Sequence, residues 1–244
     1  MAEEQKQMGF LDHLEELRGR IIKCLISIIV LSIVAYIFSE KLLDFVTRPI
    51  PEVYFMSPTE AFSTRIKLSL IAGIIVSVPV IFYHVWRFIS PGLFSKEIKL
   101  IIPAVLASTV FFLIGAGFCF WLVLPVGIKF LMGFGTQKLK PMIQIKDYIS
   151  FVSYMVLAFG AVFELPVISY FLGKMGIITS RTLTKGRKYA LVAILVVSAA
   201  ITPSPDVFSQ LMLAGPLYFL YEVSIIVVRV TQKKKPALEE EADR

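Results

Sequence analysis

The stretch that decides the fold is Leu100–Ile128, LIIPAVLASTVFFLIGAGFCFWLVLPVGI, which runs for 29 residues without a charge. About 17–25 mainly apolar residues suffice to cross the roughly 30 Å hydrocarbon core of a bilayer. A water-soluble core helix has no use for such a length, so this segment reads as a membrane span. The same criterion applied outward finds Cys24–Ser39, which lengthens to a full span if Lys23 snorkels to the headgroups. It also finds Leu68–Trp86, Tyr148–Gly173 broken only by Glu164, Tyr189–Pro205 with Pro203 and Pro205 in its last turn, and Val207–Val228 broken only by Glu222. Six spans are therefore expected, at about 21–39, 68–88, 100–124, 148–172, 189–203 and 207–228. Together they form one membrane domain over residues 1–230.

Composition agrees. The chain has 244 residues, 57% hydrophobic and 18% charged, with a mean hydropathy of +0.77. A soluble domain is about 45–50% apolar and about 25% charged. A soluble enzyme, a disulfide-stapled module and a disordered scaffold are excluded on these grounds. Cys24 and Cys119 both fall inside apolar runs and read as small hydrophobes. The net charge of +7 has a topological origin. With the N-terminus inside, 17 of the 25 Lys and Arg lie in inner segments and 8 in outer ones, which places both termini in the cytoplasm. Nucleic acid is not an expected partner. The segment before the first span is acidic as well as basic and no A-x-A site follows, so that span reads as a permanent anchor. The outer segments 40–67 and 129–147 are expected to form extracytoplasmic caps between helices 1 and 2 and between helices 3 and 4. The polar tail 231–244 is expected to be disordered.

Enzyme signatures are missing from the chain. Its two histidines, His13 and His84, are 71 positions apart, whereas an intramembrane metalloprotease needs two histidines four apart around a Glu. Gly173-Lys174-Met175 offers no hydroxyl for Mg²⁺. Gly115-Ala116-Gly117 lacks a third glycine and reads as close helix packing. No catalysis and no cofactor are expected.

Three sets of polar residues remain. Before the first span, Phe10, Leu14, Leu17 and Ile21 form one apolar stripe of an amphipathic helix. Glu15 and Glu16 sit about 100° apart around it, and Glu16 can pair with Arg20 one turn on, an interaction of about 0.2–0.5 kcal/mol. Between the second and third spans, WRFISPGLFSKE (86–97) carries a Pro-Gly turn, flanking aromatics and the lone acid Glu97. Within the spans, Glu164 stands two residues before Pro166, Glu222 lies nearer the cytoplasmic end of the last span, and Gln210 lies in its first outer turn. A carboxylate at membrane depth costs a few kcal/mol and should face protein, water or a partner. The proline should kink the helix and open a polar pocket.

Taken together, HLEELRGR (13–20), SPTEAF (57–62), FISPGLFSKE (88–97), FELP (163–166) and TPSPDVFSQ (202–210) resemble, in order and around six spans, the TatC family, the core subunit of the twin-arginine protein translocase. The resemblance implies a receptor for Arg-Arg signal peptides of folded proteins at the cytoplasmic face of the inner membrane. It implies that Glu16 and Glu97 meet the twin arginines, with Arg18, Phe88 and Pro91 in the same site. It implies further that Glu164 lies in a concave membrane face toward a partner or an inserted signal hairpin, and that Gln210 serves partner subunits. Pro58, Thr59 and Glu60 fall in the family's extracytoplasmic loop motif. The implied partners are the single-span Tat subunits A and B, membrane lipid and further copies of the chain within a larger complex, with export driven by the proton gradient. One departure is Ile98, which separates Glu97 from Lys99 where a basic run is expected. Two other readings stay open: a secondary transporter using Glu164 as an ion or proton site, and a purely structural subunit. The lack of an internal repeat weighs against the transporter.

Overall fold

The computed structural model describes residues 10–50, 52–89, 101–133, 135, 142–201 and 207–242. In these residues the chain is all-helical, and its only extended pairing is one parallel bridge between Tyr54 and Gln144. The helices are α1 (Phe10–Ile37), α2 (Ser39–Thr47), α3 (Pro58–Ile89), α4 (Ile101–Phe118), α5 (Leu124–Met132), α6 (Ile145–Val162), α7 (Leu165–Lys174), α8 (Ser180–Ile201) and α9 (Val207–Ala242). A π-helical turn, Cys119–Val123, joins α4 to α5. Pro125 accounts for it. Lacking an N–H, it leaves the ladder broken one turn back, and the Leu124 N–H reaches the Cys119 carbonyl instead.

Five helical runs are long and apolar enough to cross a membrane: His13–Ile37, Pro58–Ile89, Ile101–Met132, Ile145–Lys174 and Gln210–Gln232. The fifth expected span forms a helix, α8, but is not among them. Its first half carries Arg181, Lys185, Arg187 and Lys188, and the uncharged part from Tyr189 to Ile201 reaches only about 20 Å. At the other extreme α9 continues helical to Ala242, through most of the tail for which disorder is expected. Extending a helix already nucleated by a span costs little per residue.

Packing is governed by where backbones can approach. The buried core lies among α2, α3, α4, the π turn, α5 and α6, around Phe112, Cys119, Leu124, Ile149 and Phe159. Helices α4 and α6 cross at Gly115, where an added Cβ would sit 2.7 Å from the Phe159 carbonyl oxygen, so the expected close packing at this glycine is present. Helix α1 docks on α3 through Gly73, and a Cβ there would fall 2.7 Å from the backbone of Ser32. The face of α3 around it is small and polar: Ser69 and Ser77, one turn to either side, are buried and bond back to the carbonyls of Arg65 and Gly73. Small residues drive helix association in lipid, where apolar side chains gain nothing by leaving the tails. The rest of α1 is exposed and apolar, from Ile22 through Ile33, as a lipid-facing helix should be.

Helix α9 packs on α7 and α8. Polar ties hold the α8–α9 pair: Arg187 to Glu222 at 2.7 Å, the Tyr221 hydroxyl to the Leu183 carbonyl at 2.7 Å, and the Gln232 side chain to the backbone at Ser180 and Ile178, both at 3.2 Å.

Candidate functional site

The expected site residues fall into three places. The first is the end of the molecule where α1 begins and α3 finishes. Because α1 and α3 run antiparallel and in close contact, His13 and Phe88 meet as stacked rings 4.3 Å apart. One turn along α1, Glu16 Oε1 accepts hydrogen bonds from both Nε (2.9 Å) and Nη2 of Arg20. Glu16 Oε2 is buried and has no hydrogen-bond partner, and His13 Nδ1 lies 3.9 Å away. Glu15 and Arg18 are exposed. The structure thus brings Glu16, Phe88 and, unforeseen, His13 together, while Pro91 and Glu97 lie outside the described residues. The stacking of His13 on Phe88 was not legible from spacing, since it depends on the register between two antiparallel helices.

The second place is within the run Ile145–Lys174, long and apolar enough to cross a membrane. The run through α6 and α7 breaks at Phe163 and Glu164, and Pro166 enters α7 in its first turn. This is the kink that the proline predicts. Glu164 is only 4% exposed, and its Oε1 has no partner. It lines a cavity of about 200 Å³ with Phe82, Trp86, Ser108, Phe171 and Met175. Across that cavity the Trp86 indole donates to the Ser108 hydroxyl at 3.1 Å. So the carboxyl sits in an almost wholly apolar pocket, with the Ser108 hydroxyl, which accepts from Trp86, beside it as a hydrogen-bonding group. Gln210 lies elsewhere: its side-chain amide donates to the Leu195 carbonyl at 3.0 Å and ties α9 to α8.

The third place is the opposite end of the molecule, where Pro58, Thr59 and Glu60 start α3. Glu60 is buried and gathers two chain segments. Its Oε2 accepts from the Met56 N–H (2.8 Å) and its Oε1 from the Lys146 N–H (3.3 Å). The Tyr54 backbone adds bonds to Ile143 and Ile145, the Tyr148 hydroxyl donates to the Val46 carbonyl, and Lys67 donates to Ser150. The two expected caps are therefore stitched into one. Part of this was available from the sequence: Ser57-x-x-Glu60 has capping-box spacing, although Glu60 here reaches Met56 and the first turn of α6 instead of the cap residue itself. Replacing Glu60 by Ala should leave the Met56 and Lys146 amides unpaired. Hydrogen exchange at these two amides should then quicken by about tenfold or more, with α8 and α9 unaffected. Exchange at wild-type rates would show that the carboxylate does not hold the cap.

The comparisons with known proteins follow the same geometry. The family described as Sec-independent protein translocase protein (TatC) matches residues 12–216. The protein of that name from Desulforapulum autotrophicum is 42% identical over 249 residues, covering 99% of this chain and 92% of the relative. Its counterpart in Carboxydothermus hydrogenoformans is 41% identical over 95% of this chain and 97% of its own length. A crystal structure described as the twin arginine translocase receptor TatC superposes with a TM-score of 0.81 at 40% identity, over 90% of this chain and 99% of that one. A second, in DDM, superposes with a TM-score of 0.82 at 40% identity. The ordered motifs, the helical membrane fold and these full-length similarities agree: this chain is a multi-pass membrane protein and belongs to the TatC family of Sec-independent protein translocase proteins.

Proposed function

We propose that this chain is the signal receptor of a twin-arginine translocase in the cytoplasmic (inner) membrane, and that it works without catalysis. Its topology is six spans with both termini in the cytoplasm, α8 serving as the short fifth span and the Glu60-stitched cap facing outward. The single observation that carries the reading is Glu16, a half-buried carboxylate at the cytoplasmic end with one oxygen committed to a guanidinium and the other unsatisfied. Two adjacent arginines need two carboxylates at a water–membrane boundary, and Glu97 is the second. Arg18, Phe88 and Pro91 complete the site. Charge-assisted hydrogen bonds contribute about 1.5–3 kcal/mol each. Arginine docks through its planar fork where lysine offers a point charge.

Glu164 and Gln210 mark the faces that meet the single-span subunits A and B or the inserted signal hairpin. The complex holds several copies of this chain and its surrounding lipid, and export draws on the proton gradient. The test is binding of a labelled Arg-Arg signal peptide to the purified chain in detergent, beside a Lys-Lys version. Glu16→Ala and Glu97→Ala should each weaken the Arg-Arg peptide by about tenfold or more. Equal binding of both peptides, or indifference to both substitutions, would remove the carboxylate assignment. The unpartnered Glu164 oxygen also suits a secondary transporter, and that reading predicts solute uptake in liposomes that Glu164→Gln abolishes.

A further inference from the structure

In the chain by itself, the carboxylate proposed to receive a signal arginine is already held by an arginine. Arg20 lies one helical turn from Glu16 and presents two nitrogens, Nε and Nη2, to a single oxygen. Both side chains are largely withdrawn from water, Arg20 to 16% and Glu16 to 22% exposure. The pair therefore differs from an exposed i,i+4 ion pair, which solvent screens to little effect. Its geometry is that of the contact an incoming guanidinium would make, planar donors on a carboxylate. The arrangement is also incomplete, because Glu16 Oε2 stays buried and unbonded. A ligand that satisfied both oxygens would replace the internal contact with a better one.

We infer that Arg20 is an internal stand-in for the signal arginine: it occupies Glu16 in the empty receptor and is displaced when a signal peptide docks, so that it sets the threshold of affinity a signal must exceed. The inference rests on the proposed role of Glu16. Displacement has a defined thermodynamic form. The apparent affinity of any ligand for Glu16 is reduced by the fraction of receptors in which Arg20 holds the carboxylate, and releasing that hold restores it. Arg-Arg and Lys-Lys peptides face the same incumbent, so both should gain by the same factor when it is removed.

The experiment measures binding of labelled Arg-Arg and Lys-Lys peptides to the full chain in detergent, for wild type, Arg20→Gln, Arg20→Lys and Glu16→Gln, each checked for a monodisperse size-exclusion peak. Arg20→Gln should tighten both peptides by about threefold or more and leave their ratio at the wild-type value. Arg20→Lys keeps the charge but loses the fork, so displacement predicts a smaller tightening in the same direction. It also supplies the measurement if Arg20→Gln fails to fold. Simple repulsion between Arg20 and the signal predicts wild-type affinity for Arg20→Lys, and that result would overturn the inference. So would unchanged or weaker binding in Arg20→Gln, or an altered ratio between the peptides. If Glu16→Gln weakens the Arg-Arg peptide while both Arg20 variants bind as wild type, the receptor reading stands and the stand-in falls. If Glu16→Gln binds as wild type, the role of Glu16 falls and the stand-in with it.

Discussion

Replacing Gly73 by Leu should leave no well-folded protein in detergent, whereas the same change at Gly127 should be tolerated. A Cβ on Gly73 would lie 2.1 Å from Ser32 Oγ and 2.7 Å from both Ser32 Cα and the Ser32 backbone nitrogen. A side chain can rotate away from such a contact, but a helix backbone cannot. Leucine therefore forces α1 off α3. Overpacking of a close contact costs about 1–3 kcal/mol and occasionally more, and α1 has little else to hold it, since apart from α3 it touches chiefly the short α2. Its remaining surface faces lipid and is equally content there without a neighbour. Gly127 has no atom within 4 Å of an added Cβ, and leucine is a better helix former than glycine by about 0.8–1 kcal/mol. Size-exclusion profiles and thermal unfolding of the two variants side by side make the check. A Gly73→Leu protein with wild-type behaviour would mean that α1 is not packed on α3 as described. The loss should reach function too, because the stacking of His13 on Phe88 depends on this docking.

That contact also marks the boundary of what could be read from the sequence. Charge exclusion from hydrocarbon is severe and local, so five of the six uncharged runs fall in helices long and apolar enough to cross a membrane. The Glu164-x-Pro166 spacing likewise foretold the break between α6 and α7, because a missing N–H acts on its own helix. Contacts between helices were another matter. Ser69, Gly73 and Ser77 lie in the middle of an uncharged run and carry no signal of which helix they admit. Nothing in the sequence foretells the bond of the Gln210 amide to α8, a pairing set by the angle between two helices. Glu222 was placed near the interface, and the cation it finds there is Arg187. The weak point of α8 was legible in principle, since four of its first nine residues are basic. A window centred on the apolar half hides that. Where α1 begins, Glu16 and Arg20 could be paired from their spacing alone, whereas the unsatisfied second oxygen needed coordinates.

Replacing Glu164 by Leu should stabilise the isolated chain while stopping export, and the opposition of the two effects is the informative part. Glu164 is 4% exposed and one of its oxygens has no partner. An unsatisfied buried polar group costs about 1–3 kcal/mol, and a carboxyl at membrane depth is costly by a similar amount. The cavity wall around it is largely apolar, with Phe82, Ile168, Phe171, Leu172 and Met175, so a leucine of comparable size fits and gives up only the contact with Ser108, whose hydroxyl stays bonded to Trp86. The Trp86–Ser108 bond does not depend on Glu164 and should survive. Folding alone would therefore favour Leu by about 1–3 kcal/mol. A chain that keeps Glu there tolerates the cost for something outside itself, such as a donor from a partner helix or an inserted signal hairpin. Thermal unfolding of the purified Glu164→Leu chain should move upward, while export of an Arg-Arg precursor from cells carrying it should be lost. Glu164→Gln keeps hydrogen-bonding capacity and should retain part of the export activity. A destabilised Glu164→Leu chain would mean that the carboxyl has an internal role in the fold. A stabilised chain that still exports would free Glu164 from the transport step altogether. Stability gained together with export lost is the one outcome that a purely structural carboxylate cannot produce.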